Sequence, residues 1–396
     1  MIEVIGLKKS RLAVLALAIA ALILVLMAVF MLRHLPNTKP VSASSALVQF
    51  LSSDTDRDFA RVTPGYRLSF PVDHAAHPEF RQEWWYFTGN LIGEDGREFG
   101  FQLTFFRFAH GRSEHLPAAG WNNDQTWMTH FAVTDVQQNR FFAEQDFARG
   151  ALDLAGAAAE PFAVWVNGWS ATQTGRACRE CLTVKLVAET DEFSIDLEVK
   201  SNTGPLLQGE QGFSVKNDQG DVASYYYSYP DLHSTGKVVI HGQSHQVEGT
   251  AWMDREWSSA VLAKGQSGWD WFALHLDDGR KLMLFQVRDE VKRNFRHAVL
   301  IGRGGMSEQL SPETLEMTPT DFWISPDTGN RYPVKWSIRN TSDDNAMELS
   351  IKPKVKNQEL NLSFQYYEGA VEFEGELEGD RVSGSGYMEL TGYERN

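Results

Sequence analysis

Val247-Glu-Gly-Thr-Ala-Trp-Met-Asp-Arg-Glu-Trp257 and Val382-Ser-Gly-Ser-Gly-Tyr-Met-Glu-Leu-Thr-Gly-Tyr393 are two versions of one pattern, Val-x-Gly-[Thr/Ser]-x-[Trp/Tyr]-Met-[Asp/Glu]. Both read as strands, in which alternate side chains face opposite ways. In the first copy Trp252, Asp254 and Glu256 share one face, and Met253 and Arg255 take the other. A carboxyl group and an indole therefore point into the same space.

A second repeated element stands upstream of each copy. Glu83-Trp-Trp-Tyr-Phe-Thr-Gly-Asn-Leu-Ile92 turns through Asp95-Gly96 into an alternating run at 97–108. Residues 269–276 turn through Asp277-Asp278-Gly279 into the run at 280–287. Trp84 matches Trp269, Phe87 matches Phe272, and Asp95-Gly96-Arg97 matches Asp278-Gly279-Arg280. The Asp-Gly turn predicts a type I′ hairpin. Further short strands at 126–134, 140–146, 162–166, 182–188, 193–199 and 236–240, spaced by turn residues without helical periodicity, predict an all-β protein. The repeat predicts two diverged copies of one β unit, at 60–262 and 263–396, each the size of an antiparallel barrel able to enclose a small ligand.

Composition agrees. Of 396 residues, 42% are hydrophobic, enough for two ordinary cores, and 12 Trp, 24 Phe and 11 Tyr make an aromatic load typical of strands. A net charge of −15 without a basic stripe argues against nucleic acid as a partner. Residues 1–33 read differently. Lys8, Lys9 and Arg11 precede an uncharged apolar run at 12–32, whose length as a helix, roughly 31 Å, matches a bilayer. The expectation is a single-pass anchor in the cytoplasmic membrane with the body in the periplasm. The alternative is a signal peptide cut near Val41-Ser42-Ala43. Residues 34–59 form the linker. Cys178 and Cys181 suit a small structural disulfide loop or two idle thiols, since a zinc site would need a second pair.

Signatures of serine hydrolases, zincins and calcium-binding loops are absent. His241 and His245, with Gly242 and Ser244 between them, read as a turn, and neither they nor His74 and His77 make a convincing metal site. The chemistry-bearing signals are two aromatic–carboxyl clusters: Glu83 with Trp84, Trp85 and Tyr86, and Tyr225-Tyr-Tyr-Ser-Tyr-Pro230 with His233 and residues 252–257. The alternative is that these are strand residues pairing across sheets, with Asp254 and Glu256 bonded to Arg255 or to backbone groups.

Glu83-Trp-Trp-Tyr, Tyr227-Ser-Tyr-Pro-Asp-Leu232 and Gly249-Thr-Ala-Trp-Met-Asp-Arg-Glu-Trp257 resemble the AttH-like, lipocalin-like family, formerly described as predicted secreted hydrolases, which includes the carotenoid 1,2-hydratases (hydroxyneurosporene synthases). The resemblance implies two lipocalin-like antiparallel β barrels in tandem. It implies addition of water to a terminal isoprenoid double bond without redox cofactor or metal. The acid of the hydratase motif falls on Asp254 and its aromatic neighbour on Trp252. The element before the Pro falls on Tyr225 and Tyr227, where carotenoid hydratases carry His and Trp; His233 is the nearest histidine. On this reading a protonated Asp254 gives its proton to the alkene, as a carboxyl in an apolar pocket can. Trp84, Trp85, Tyr86, Tyr225 and Trp257 surround the ligand, and Trp252, Trp84 and Tyr86 stabilise the cation. Tyr227, His233 or Glu83 positions the water. Other members are encoded with exporter components, so the alternative function is non-catalytic lipid or lipoprotein handling beside an ABC transporter. The junction between the two units is an attractive place for the cavity.

Overall fold

The structure is a computed structural model that describes residues 59–110, 124–175, 181–201 and 203–394. The apolar run at 12–32, the linker up to residue 58 and Cys178 lie outside these residues. No helix among the described residues is long and apolar enough to cross a membrane. Cys181 is disulfide-bonded.

Two antiparallel sheets account for nearly all of the described chain, and the one helical element among the described residues is the 3-10 turn Val72–His74. The first sheet has thirteen strands, from Gln82–Gly93 to Gln243–Ser258 in sequence; the second has ten, from Gln266–Leu276 to Asp380–Leu390. Each curls into a barrel-like wall around its own apolar core.

The repeat is realised as one seam built twice. In the first sheet the opening strand Gln82–Gly93 pairs with the closing strand Gln243–Ser258, setting Tyr86 opposite Asp254 and Phe87 opposite Met253. In the second, Gln266–Leu276 pairs with Asp380–Leu390, setting Trp271 opposite Glu389 and Phe272 opposite Met388. The glycine shared by the two motifs has a steric cause. A Cβ on Gly249 would sit 2.0 Å from the Asn90 carbonyl oxygen, and one on Gly384 would sit 2.1 Å from that of His275.

The hairpin turns differ from the type I′ expectation. Asp95 keeps an ordinary negative φ and only Gly96 is left-handed, at φ +79°. The Asp95 carboxylate accepts the Arg97 N–H at 3.0 Å, and Asp278 accepts that of Arg280 at 2.8 Å, so the aspartates brace longer turns instead. Type I′ geometry belongs to the tight links His241-Gly242 and Glu378-Gly379, where both residues have positive φ. The strand expected at 236–240 is part of a much longer one, Ala223–Ile240. Its pairing with the closing strand shifts between Tyr229 and Leu232, at Pro230, which has no N–H to donate.

A third apolar cluster joins the sheets, with Tyr86, Tyr226 and Trp252 packed against Trp271, Phe285 and Tyr387. The approach is close: a Cβ on Gly100 of the first sheet would lie 2.7 Å from the Ala370 Cβ of the second. Polar contacts fix the fit, among them Asn90 Nδ2 donating to the Gly386 carbonyl at 2.9 Å and the Lys354–Glu98 ion pair. Substituting Gly249→Ala is expected to destabilise the protein by about 1–3 kcal/mol, the usual cost of overpacking, measured as a lowered midpoint in urea unfolding.

Candidate active site between the two sheets

Strand parity decides which seam residues reach which compartment. Trp84, Tyr86, Trp252, Asp254 and Glu256 point toward the second sheet. Trp85, Phe87, Met253 and Trp257 point into the core of the first. Between the sheets lies a pocket of about 970 Å³, its open mouth included. Its wall is rich in aromatic side chains, among them Trp84, Tyr86, Tyr226, Trp269, Trp271 and Phe285. Val261 and Leu262, from the link between the sheets, add apolar surface.

Asp254 is 4% exposed. Its Oδ1 accepts hydrogen bonds from Ser228 Oγ at 2.5 Å and Trp252 Nε1 at 2.7 Å, and its Oδ2 accepts one from the Tyr226 hydroxyl at 2.7 Å. Trp271 Nε1 in turn donates to the Tyr226 oxygen at 3.3 Å. Burial pushes the Asp254 carboxyl up and the three donors pull it back, leaving it at about 7. It is poised to give or take a proton near neutrality. Beside it, Glu256 accepts from Ser224 and pairs with Lys216 at 2.8 Å.

The second sheet presents two more carboxyl groups to the same cavity. Glu368 and Glu389 stand opposite one another in the register. Glu389 accepts from Trp269 Nε1 at 2.7 Å, and burial pushes it up to about 8. Glu368 Oε2 accepts from the Tyr86 hydroxyl at 2.9 Å; burial, then the nearby Glu389, hold it well above the usual carboxylate range. His130 Nδ1 lies 2.7 Å from the Tyr366 hydroxyl, and burial pushes the ring down to about 3, so it is neutral. Its Nε2 has no hydrogen-bond partner and the ring lines the pocket. Among the described residues no group of three His, Cys, Asp or Glu is placed to hold a metal.

Of the residues singled out in the sequence, Asp254, Trp252, Trp84 and Tyr86 come together here. The others do not; parity is the reason for all but His233, which shares the face of Trp252 but sits beyond the register shift at Pro230. Tyr227 faces the first core, its hydroxyl 2.6 Å from His74 Nδ1. Tyr225 donates to the Thr63 carbonyl at 3.0 Å. Trp85 stacks on Trp127, and Trp257 lies flat against His77 at 4.0 Å. His233 is exposed, in register with Thr250 and Lys200. Glu83 is fully buried on the far face, paired with Arg107 and Arg255 and accepting the His77 N–H at 3.0 Å. Burial alone would raise its carboxyl, but the two guanidinium groups outweigh that and hold it well below the usual range. Glu83 is thus a structural carboxylate, and it takes the Arg255 partner that the alternative reading gave to Asp254 and Glu256.

Tyr226 and Ser228 stand in the tyrosine cluster and Trp269 in the repeat without a role assigned from sequence, and Lys216, Trp271, Glu368 and His130 carry no sequence signal. In a run of three tyrosines only the register Tyr226↔Glu256 and Ser228↔Asp254 tells which ring shares the face of Asp254. Glu389 was visible as the repeat partner of Asp254, though nothing in the sequence sets the two in one cavity.

The model of the AttH-like family matches residues 61–393. The chain belongs to the AttH-like family. A crystal structure of a putative AttH from Nitrosomonas europaea is 36% identical, covers 85% of this chain and 100% of its own, and superposes with a TM-score of 0.73. Kievitone hydratase from Nectria haematococca shares the AttH-like fold at 15% identity, with 84% of this chain and 96% of its own covered and a TM-score of 0.64. No curated protein matches the chain.

Two outcomes test this electrostatic picture. Glu83→Ala leaves two buried guanidinium groups unpaired and is expected to cost about 3–5 kcal/mol in urea unfolding. Asp254 and Glu389 hold their protons more tightly folded than unfolded, where carboxyls titrate near about 4. Their stabilisation is full below that pH and is lost as pH rises through about 7 and about 8. The melting temperature is expected to fall across this range, and Asp254→Asn, neutral throughout, to fall less steeply.

Proposed function

We propose that the protein is a hydratase-type enzyme that adds water across a carbon–carbon double bond of an apolar, isoprenoid-like or lipid molecule. The observation that carries this reading is Asp254, a carboxyl held at about 7 in an aromatic, water-poor pocket and braced by Trp252, Tyr226 and Ser228. A protonated Asp254 transfers its proton to one alkene carbon, leaving a carbocation and the Asp254 carboxylate. The faces of Trp84, Tyr86 and Trp271 stabilise the cation by about 0.5–2 kcal/mol each. Water held at His130 Nε2 adds to the cation. The surplus proton of the resulting oxonium returns to the Asp254 carboxylate, with the Tyr226 hydroxyl as a relay, and restores the acid.

The water-handling role therefore moves from Tyr227, His233 and Glu83 to His130. The likeness in fold to kievitone hydratase supports this reaction class. The same reading puts the body outside the cytoplasm, held by residues 12–32, on the strength of the basic flank at Lys8, Lys9 and Arg11.

The test offers purified protein a series of acyclic isoprenoid alkenes with trisubstituted terminal double bonds and follows the mass gain of one water. Asp254→Asn is expected to lower turnover by about 10²–10⁴-fold, the usual contribution of a general acid, while ligand affinity changes little. Undiminished turnover in that variant sinks the proposal. Binding without turnover in the unaltered protein favours the alternative, a carrier working beside an exporter.

A further inference from the structure

Carboxyl groups outnumber ammonium groups in the lining of the pocket. Four carboxyl groups, Asp254, Glu256, Glu368 and Glu389, face one ammonium, that of Lys216. That ammonium shows how the site treats a cation. It pairs with Glu256 at 2.8 Å and lies 4.8 Å and 4.7 Å from the ring centres of Tyr226 and Phe285, within cation–π range.

Around Glu368 and Glu389 the same ingredients recur without a paired cation. Among the described residues lining the pocket, no Lys or Arg stands beside Glu368 and Glu389. Glu368 is 1% exposed, and its Oε1 has no hydrogen-bond partner. A buried polar atom in that condition is costly unless something else meets it. The Trp269 and Tyr86 side chains are fixed beside it by their bonds to the two carboxyls, so aromatic surface and acceptor oxygens converge.

We infer that the part of the pocket at Glu368 and Glu389 binds an organic cation, a substituted ammonium carrying an apolar group, which pairs with the carboxylate formed there as a proton leaves. The inference does not depend on hydration. A carrier and an enzyme both accommodate it, and in a hydratase the same part holds the charge that alkene protonation creates.

Proton linkage follows. The groups facing the two carboxyls are Tyr86, His130, Tyr366, Tyr387, Asp254 and Glu256. Burial keeps His130 neutral and pushes the three phenols well above their usual range, so none of them brings positive charge. With burial raising Glu389 to about 8 and Glu368 further, the unliganded carboxyls keep their protons. Each ammonium that pairs with a carboxylate therefore sends one proton to solvent. Affinity rises with pH toward about 8, by up to about tenfold per pH unit.

The experiment is isothermal titration of the full chain with benzyltrimethylammonium and with neopentylbenzene, which has the same shape and no charge. At about pH 8 the ammonium is expected to bind at least about tenfold more tightly than the hydrocarbon. Its affinity weakens as pH falls, and the heat depends on buffer ionisation by about one proton. Glu368→Gln and Glu389→Gln, checked for native circular dichroism, are expected to remove most of the preference. The comparison of the two ligands on unaltered protein needs no variant. Equal affinities, no binding of the ammonium, or a preference unchanged in both variants overturns the inference. A failed hydration assay leaves it standing, so the two proposals fail separately.

Discussion

Burial of ionisable groups along the seam between the sheets is the constraint on which the site depends. Glu83 and Asp254 make the point by contrast. They lie on neighbouring paired strands, and both are buried, at 0% and 4% exposure. Glu83 turns to the face where Arg107 and Arg255 wait and stays ionised; Asp254 turns to the face where it meets two hydroxyls and an indole and holds a proton to about 7. The same functional group takes opposite roles because strand pleating gives it different partners in a medium with little water to level them.

The two roles also support one another. The Glu83–Arg107–Arg255 cluster locks the opening strand to its neighbours from behind, with the Arg255 guanidinium lying 3.9 Å from the Trp85 ring centre and 4.9 Å from that of Trp257. A seam fixed on that side presents Trp84, Tyr86, Trp252 and Asp254 on the other as a preorganised wall. Preorganisation of this kind keeps a neutral acid, its donors and the aromatic faces in place before any ligand arrives.

Duplication explains why so many acids share one cavity. The seams of the two sheets face each other, so a motif position occupied by a carboxyl contributes twice, as Asp254 and as Glu389. Divergence then shaped the halves. Opposite Asp254 the neighbouring strand carries Ser228, whereas opposite Glu389 it carries Glu368. One half acquired Lys216 beside Glu256; the other kept an unpartnered carboxyl oxygen.

The all-β architecture, the two hairpins, their repeat and the pairing of Asp254 with Trp252 were legible in the sequence, because period-2 alternation and turn residues act over a few positions of chain. Even the shared glycines carried their message, since a Cβ there strikes the adjacent strand. Three things required the tertiary structure. Register alone sorts Tyr226 from Tyr225 and Tyr227, because adjacent rings of one strand look alike in sequence but face different compartments. Long-range packing makes Glu83 a structural ion, through arginines 24 and 172 positions away. The approach of the second sheet brings Glu368, Glu389, Trp269 and Trp271 to the cavity. Local sequence determines which way each side chain of a strand points; only the folded chain decides what is waiting there.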